Sequence, residues 1–262
     1  MKTPLVLLAA CVGLLPLSGQ AGVIQLRSVV TADVAATPPR LRIDLINTGD
    51  EPARAVSIEA RLGAWQAQSE PVPALGPGGR ISRTFQITDL PAVPGFYHAV
   101  VKVRYADEND HAFSSISVAE VITHDSAAMD RVTASLEPAD IDRNGALTVK
   151  VMAVDDAPVT ARIRLVLPDE FQCAEVEREI SVPPGAPSPV MFSVTNASAL
   201  PDSTYAVFAL LEYEANGLHR SVAANGTLRV TGRRETPPVR EYGAWFGGAL
   251  ALIVLLRVAQ RP

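Results

Sequence analysis

Apolar and polar residues alternate along most of this chain, in short runs broken by turn residues. Residues 55–62 (AVSIEARL) put Val56, Ile58, Ala60 and Leu62 on one face, because side chains two apart share a face of a strand. Residues 41–46 (LRIDLI) alternate likewise and end in Asn47-Thr48-Gly49-Asp50. Residues 23–31 precede them, and residues 80–87 (RISRTFQI) follow the turn Leu75-Gly76-Pro77-Gly78-Gly79. The longest run, residues 97–111 (YHAVVKVRYADENDH), opens on Tyr97, carries Tyr105 and closes on His111, with a polar turn at 106–110. Asp, Asn and Gly tolerate positive φ, so this stretch predicts a β-hairpin. About seven short strands in roughly 100 residues is the pattern of an antiparallel sandwich of immunoglobulin type.

The pattern then recurs. Residues 205–219 (YAVFALLEYEANGLH) repeat the spacing with Tyr205, Tyr213 and His219, 108 residues after the first copy (205 − 97). Residues 147–153 answer 41–47 at an offset of 106, residues 158–167 answer 52–61 at the same offset, and Phe192 answers Phe85 at 107. An offset that grows by single residues is what loop insertions between fixed strands produce. The chain reads as two copies of one β-domain, residues 22–122 and 132–231, joined by a polar linker at 123–131 (THDSAAMDR). His111 and His219 are expected to hold equivalent structural places just past their hairpin turns.

Both ends depart from the alternation. Residues 1–21 (MKTPLVLLAACVGLLPLSGQA) carry one Lys, an apolar run and Gly19-Gln20-Ala21, a secretory signal peptide cleaved after Ala21. An alternative takes Leu8-Ala9-Ala10-Cys11 as a lipobox that would lipidate Cys11, although the preceding apolar run is short and residues 12–17 continue apolar. Residues 232–241 form a charged spacer stiffened by Pro237-Pro238. Residues 242–256 then give 15 apolar residues. At 1.5 Å rise they cover about 22 Å of the roughly 30 Å hydrocarbon core. Arg257 can snorkel, which extends the predicted transmembrane helix over 242–259 and leaves 260–262 as a cytoplasmic tail. Tyr242 and Trp245 fit an interfacial aromatic belt at the outer end, while Leu256 and Arg257 mark the inner end. The expected organisation is all-β: two tandem immunoglobulin-like β-sandwiches plus one C-terminal transmembrane helix. With the signal peptide setting orientation, this is a type I protein of the cytoplasmic membrane whose bulk is periplasmic or extracellular. A removable sorting tag is the alternative for the apolar tail.

Composition sharpens this. The chain has 262 residues, is 48% hydrophobic, and spreads 21 Pro and 17 Gly along its length, too apolar for a disordered chain and suited to many short strands. Residues 22–231 carry 17 basic and 26 acidic residues, a net of −9, whereas residues 232–262 carry five Arg and two Glu, a net of +3. An acidic body excludes nucleic acid as a partner, because phosphate binding needs a basic face. A basic tail suits an anionic membrane surface. Beyond Cys11 the only cysteine is Cys173, so the mature chain forms no internal disulfide, and Cys173 reads as a small buried hydrophobe.

Four stretches resemble a known family: residues 41–50 (LRIDLINTGD), 56–62, the turn 75–79 (LGPGG) and 95–105 (GFYHAVVKVRY). An apolar strand ending in Asn-x-Gly, a Leu-x-Pro-Gly turn and a Gly-x-Tyr strand running to a second Tyr make the first unit similar to a CARDB domain (cell-adhesion-related domain found in bacteria). The resemblance covers about residues 25–120. The second unit keeps the Tyr strand but has Ala153-Val154-Asp155-Asp156 in place of Asn-x-Gly. The resemblance implies an extracytoplasmic binding or spacer module and brings no catalytic residues.

Candidate chemistry is sparse. Asp140-Ile141-Asp142-Arg143-Asn144-Gly145 matches the start of a calcium loop, with Asp140, Asp142 and Asn144 as oxygen ligands. The acidic ligand expected at position twelve is Val151, residues 147–151 read as a strand, and a polar strand-to-strand turn accounts for the same residues. His98, His111, His124 and His219 show no metal-ligand spacing, and nucleophile elbows and phosphate-cradling loops are missing. The sequence therefore points to a non-enzymatic, cofactor-free module that meets a protein or glycan partner in the cell envelope through loops or strand edges. Two other readings stay open: a structural accessory subunit of an integral-membrane enzyme complex, and a carbohydrate-binding appendage. The latter is short of stacking aromatics, since residues 22–241 hold only Trp65 among tryptophans.

Overall fold

Alternation becomes strand at every run named above. A computed structural model describes residues 23–123 and 130–232 of the chain. Ala21, the lipobox at Cys11, the linker residues 124–129 and the anchor residues Tyr242, Trp245, Leu256 and Arg257 lie outside the described residues. Eight strands build the first unit: β1 (Leu26–Asp33), β2 (Arg40–Asn47), β3 (Ala53–Leu62), β4 (Trp65–Gln68), β5 (Val72–Leu75), β6 (Arg80–Gln86), β7 (Phe96–Ala106) and β8 (Ala112–Ile122). Nine build the second: β9 (Val132–Leu136), β10 (Ala139–Ile141), β11 (Asn144–Ala153), β12 (Val159–Val166), β13 (Phe171–Gln172), β14 (Glu177–Val182), β15 (Ser188–Asn196), β16 (Thr204–Ala215) and β17 (Leu218–Val230).

Each unit is a two-sheet sandwich. In the first, the sheet β1-β2-β6 faces the sheet β4-β3-β7-β8, with β5 also paired to β3. In the second, β13-β15-β11-β9 faces β10-β17-β16-β12-β14, where β10 and β17 run parallel and all other pairs are antiparallel. The order β2-β6 opposite β3-β7-β8 recurs as β11-β15 opposite β12-β16-β17, which is immunoglobulin-like topology.

The cores fill from the inward faces. Leu41, Ile43 and Leu45 of β2 meet Val56, Ile58, Ala60 and Leu62 of β3, all at most 1% exposed. In the second unit Leu147, Val149 and Val151 meet Ile163, Val207 and Leu211 around Phe192. Tyr97 donates from its hydroxyl to the Val93 carbonyl, and Tyr205 accepts at its hydroxyl from Leu200 N at 3.4 Å. Each tyrosine thus ties the start of its strand to the corner before it, as in other immunoglobulin-like sandwiches. Asn47 is fully buried and fully used: Nδ2 donates to the carbonyls of Glu51 (2.7 Å) and Leu75 (3.0 Å), while Oδ1 accepts from Gly49 N at 3.0 Å. A Cβ on Gly49 would stand 2.0 Å from the Val23 carbonyl oxygen, so the chain needs glycine there. Both facts explain the Asn-x-Gly that ends the first apolar strand.

Two register expectations change. Ile58 pairs with Val103 and Ile163 with Leu211, so with β7 aligned to β16 at 108, most of β3 aligns to β12 at 105, not 106. The cause is an irregularity between Arg54 and Ser57, where Ala55 adopts φ 49°, and a one-residue slip exchanges the two faces of a strand. The hairpins differ too. Ala106 pairs with Ala112 and Glu214 with His219, so His219 takes the place of Ala112, one residue past the place of His111. The two histidines are therefore not equivalent.

Phe192 has no exposure, whereas its counterpart Phe85 is only partly buried against its core. Phe192→Ala is expected to remove about 3–5 kcal/mol of stability and Phe85→Ala clearly less. Thermal unfolding followed by far-UV circular dichroism checks this, and equal losses would contradict the packing.

Candidate functional site: the seam and the cleft between the units

The outward faces of β7 and β8 carry Phe96, His98, Val100, Lys102 and Arg104, then Ser114, Ile116 and Val118. In the second unit the outward faces of β12, β16 and β17 carry Arg164, Val166, Phe208, Leu210, Glu212, His219 and Ser221. Alternation alone assigns such faces to water. Here they pack on each other: Val100, Ile116 and Leu210 form a buried cluster, with Val118, Val166 and Phe208 against it. The signal was present in the residues, because Ala99-Val100-Val101 and 207–211 (VFALL) are continuous apolar runs, as strands buried on both faces require.

At the end of the seam near the linker, the Tyr97 ring stacks on His219, with centroids 4.0 Å apart and planes 4° from parallel. His98 Nδ1 is 2.8 Å from Ser221 Oγ, and the Arg220 guanidinium lies 4.4 Å from the Phe96 ring centre. His219 N donates to the Pro94 carbonyl at 3.0 Å, and Gly95 forms a bridge to His219. Gly95 has φ 153°, and a Cβ there would meet the His219 carbonyl oxygen at 2.1 Å. The glycine of the Gly-x-Tyr stretch is thus a contact residue between the units. His111 stays within the first unit, edge-on to Phe113 at 4.7 Å.

At the other end the bonding is ionic. Glu170 is 2% exposed, and its two carboxylate oxygens accept from Ser114 N and Ser114 Oγ, both at 2.7 Å. Ser114 Oγ in turn accepts from Asp169 N at 2.8 Å. The Asp169 carboxylate receives Lys102 Nζ at 2.5 Å and Arg104 Nε at 2.6 Å. Arg104 also donates to Glu59 Oε2 at 2.6 Å, and Arg61 Nε donates to Glu59 Oε1 at 2.5 Å. Burial pushes the Glu59 carboxyl up, but the Arg104 and Arg61 hydrogen bonds outweigh it and hold the group below the usual carboxylate range. Asp169 is held low in the same manner by Lys102 and Arg104. Burial pushes the Tyr105 hydroxyl up to about 12, and the nearby Glu170 carboxylate adds to the effect.

Beside this network the units leave a cleft of about 730 Å³. Arg61, Lys102 and Arg104 reach it from the first unit and Arg164 and Asp169 from the second, over a floor that includes Val100 and Val166. Cys173 also lines it, partly buried, with its thiol 3.4 Å from the Glu175 carbonyl. The calcium-loop residues lie elsewhere: Asp140 is in β10, Asn144 opens β11, and Asp142 is in the turn between them. Asn144 Oδ1 accepts from Thr195 Oγ1 at 3.0 Å, and the Asp142 carbonyl accepts from Asn196 Nδ2 at 3.2 Å. Among the described residues, no three His, Cys, Asp or Glu side chains converge in a way that could hold a metal ion. No described helix is long and apolar enough to cross a membrane, and residues 242–259 are outside the described region.

The histidine end of the seam is acid-sensitive. Burial lowers His98 from 6.5 to about 4, helped by His219; His219 is itself lowered by burial, against the opposing pull of Glu212 and Glu214. The folded state keeps His98 neutral while the unfolded chain takes up a proton near 6.5, so its contribution is complete above that pH and lost on acidification towards about 4. The lowering corresponds to up to about 3 kcal/mol. Thermal midpoints measured across this window are expected to fall with pH in the wild-type chain and to fall less in His98→Gln. An unchanged slope in the variant would contradict the assignment.

No family model matches the chain, and no curated protein matches it. Among solved structures, the native conformation of E. coli alpha-2-macroglobulin aligns at 12% identity over 78% of this chain and 17% of that one, with a TM-score of 0.32. Red sea bream transglutaminase aligns at 15% identity over 80% and 31%, with a TM-score of 0.27. Escherichia coli alpha-2-macroglobulin activated by porcine elastase aligns at 12% identity over 79% and 22%, with a TM-score of 0.30. The chain spans less than a third of each of these proteins. The immunoglobulin-like architecture rests on the strand order itself.

Proposed function

We propose that the chain is a non-enzymatic module of the bacterial cell envelope, anchored as a type I single-pass protein. It holds two immunoglobulin-like sandwiches as one body and presents the cleft between them to a protein or glycan partner outside the cytoplasmic membrane. The observation that carries this reading is the seam. A buried carboxylate, a stacked Tyr–His pair and a two-sided apolar cluster join the units, so the surface beside them has a fixed shape. Binding surfaces held in one shape avoid the ordering cost of association. The carboxylates lining the cleft serve structural pairs, with Glu59 and Asp169 each bridging two cations. The signal peptide, the apolar tail and the CARDB resemblance support an extracytoplasmic, membrane-held address.

Carbonate washing of membranes followed by crosslinking tests this. The full chain is expected to stay with the membrane and to crosslink to an envelope partner. A bulky maleimide on Cys173, which lines the cleft, is expected to abolish that crosslink. Release of the full chain by carbonate would overturn the anchor, and crosslinking unaffected by the maleimide would overturn the cleft as the docking surface. Stoichiometric recovery with a membrane enzyme complex would replace this reading with that of an accessory subunit.

A further inference from the structure

The cleft has a charge that the rest of the body lacks. Four cations border it, Arg61, Lys102, Arg104 and Arg164, against two carboxylates, Glu59 and Asp169, a local net of +2 (4 − 2). Residues 22–231 as a whole carry 17 basic and 26 acidic residues. A cationic recess in an anionic surface, walled by low-dielectric protein, concentrates small anions and repels cations.

The internal carboxylates do not use up these cations. Both oxygens of Glu59 are taken, by Arg61 and Arg104, and both of Asp169, by Lys102 and Arg104. Arg61 makes its bond through Nε, so its two terminal nitrogens have no acceptor among the described residues. Arg164 is the least neutralised of the four. Its Nε is buried without a hydrogen-bond partner, and its nearest carboxylate, Glu212, is 3.9 Å away, beyond hydrogen-bond reach. The Arg164 side chain is 31% exposed and lines the recess, so an arriving anion can reach the guanidinium and complete the pairing that Glu212 leaves at 3.9 Å.

The floor narrows the ligand further. Val176 is 42% exposed and Val166 partly so, and both line the recess, so an apolar group can follow the anion in. Phe171 lines it too but is only 5% exposed, which leaves no open ring for a sugar to stack upon. Two guanidinium groups with spare forked donors match a planar carboxylate. The volume, about 730 Å³, is that of a small-ligand site.

We infer that the cleft between the two sandwiches is a binding site for a carboxylate carried on an apolar body, gripped by Arg61 and Arg164 above Val166 and Val176. The inference rests on the binding-module reading and names the chemistry that module recognises. The same head and body occur in a polypeptide C-terminus ending in an apolar residue and in a short acyl-chain acid.

Isothermal titration of the full chain in lipid nanodiscs tests the inference. The probes are N-acetyl-alanyl-leucine and hexanoate, each set against its primary amide. The acids are expected to bind at least about tenfold more tightly than the amides, and Arg61→Met and Arg164→Met each to weaken the acids about tenfold, or 1.4 kcal/mol. Arg61→Met removes one hydrogen bond to Glu59 but leaves the Glu59–Arg104 and Asp169 pairs in place, so its thermal midpoint is expected to fall only slightly even if Arg164→Met folds poorly. Tighter binding of the peptide acid identifies a polypeptide terminus as the source, and tighter binding of hexanoate an acyl acid. Equal binding of acids and amides, acid binding unchanged in Arg61→Met, or no binding of either acid overturns the inference. If the acids fail while the Cys173 maleimide still abolishes crosslinking, the module reading stands and only the carboxylate chemistry falls.

Discussion

Two sandwiches joined by a short polar linker would ordinarily move independently, because interfaces between domains of one chain are small and rather polar. In this chain a carboxylate from one unit sits inside the contact with the other, 2% exposed, with both oxygens bonded to a single serine. Hydrogen bonds to a charged group contribute about 1.5–3 kcal/mol each. Parting the units would return the carboxylate to water, so the net attraction comes mainly from the apolar faces around Leu210. What Glu170 supplies is register. A docking that covered Glu170 without Ser114 opposite it would bury its charge unpaired, at a cost of several kcal/mol.

The remaining features of the interface follow from that register. With Ser114 held to Glu170, the neighbouring Asp169 lies beside Lys102 and Arg104, and Arg104 reaches back to Glu59 on β3. These ion pairs are partly exposed and individually weak. Their linkage through Arg104 nevertheless fixes one wall of the cleft, and Arg164 approaches from the opposite unit. At the far end the backbone of Gly95 touches that of His219, so close an approach that no side chain fits between them. The seam is therefore tied at both ends, by a carboxylate at one and by a glycine at the other.

Much of each sandwich could be read from the residues. Val56, Ile58, Ala60 and Leu62 occupy the inward face their alternation assigns, and Asn47 and Gly49 end their strand for identifiable reasons of bonding and space. The slip in β3 was invisible because a bulge changes backbone geometry at Ala55 without changing composition. The short strands β4 and β5 carry too few residues for a period to emerge. The seam was half legible. Its apolar runs broke the alternation at 99–101 and 207–211, but nothing in the residues links Ser114 to Glu170, 56 positions away. His219 was hidden for a different reason: its likeness to His111 is one residue out of register.

The two sandwiches form one body with a fixed cleft. The most direct measurement is the distance between nitroxide labels at Val29 and Met191, exposed positions on different units, by pulsed dipolar spectroscopy with Cys173 replaced by Ser. A single narrow distribution is expected for the wild-type seam and a broad one when Gly95→Ala forces the backbones apart. A broad or multimodal distribution without that substitution would contradict the account.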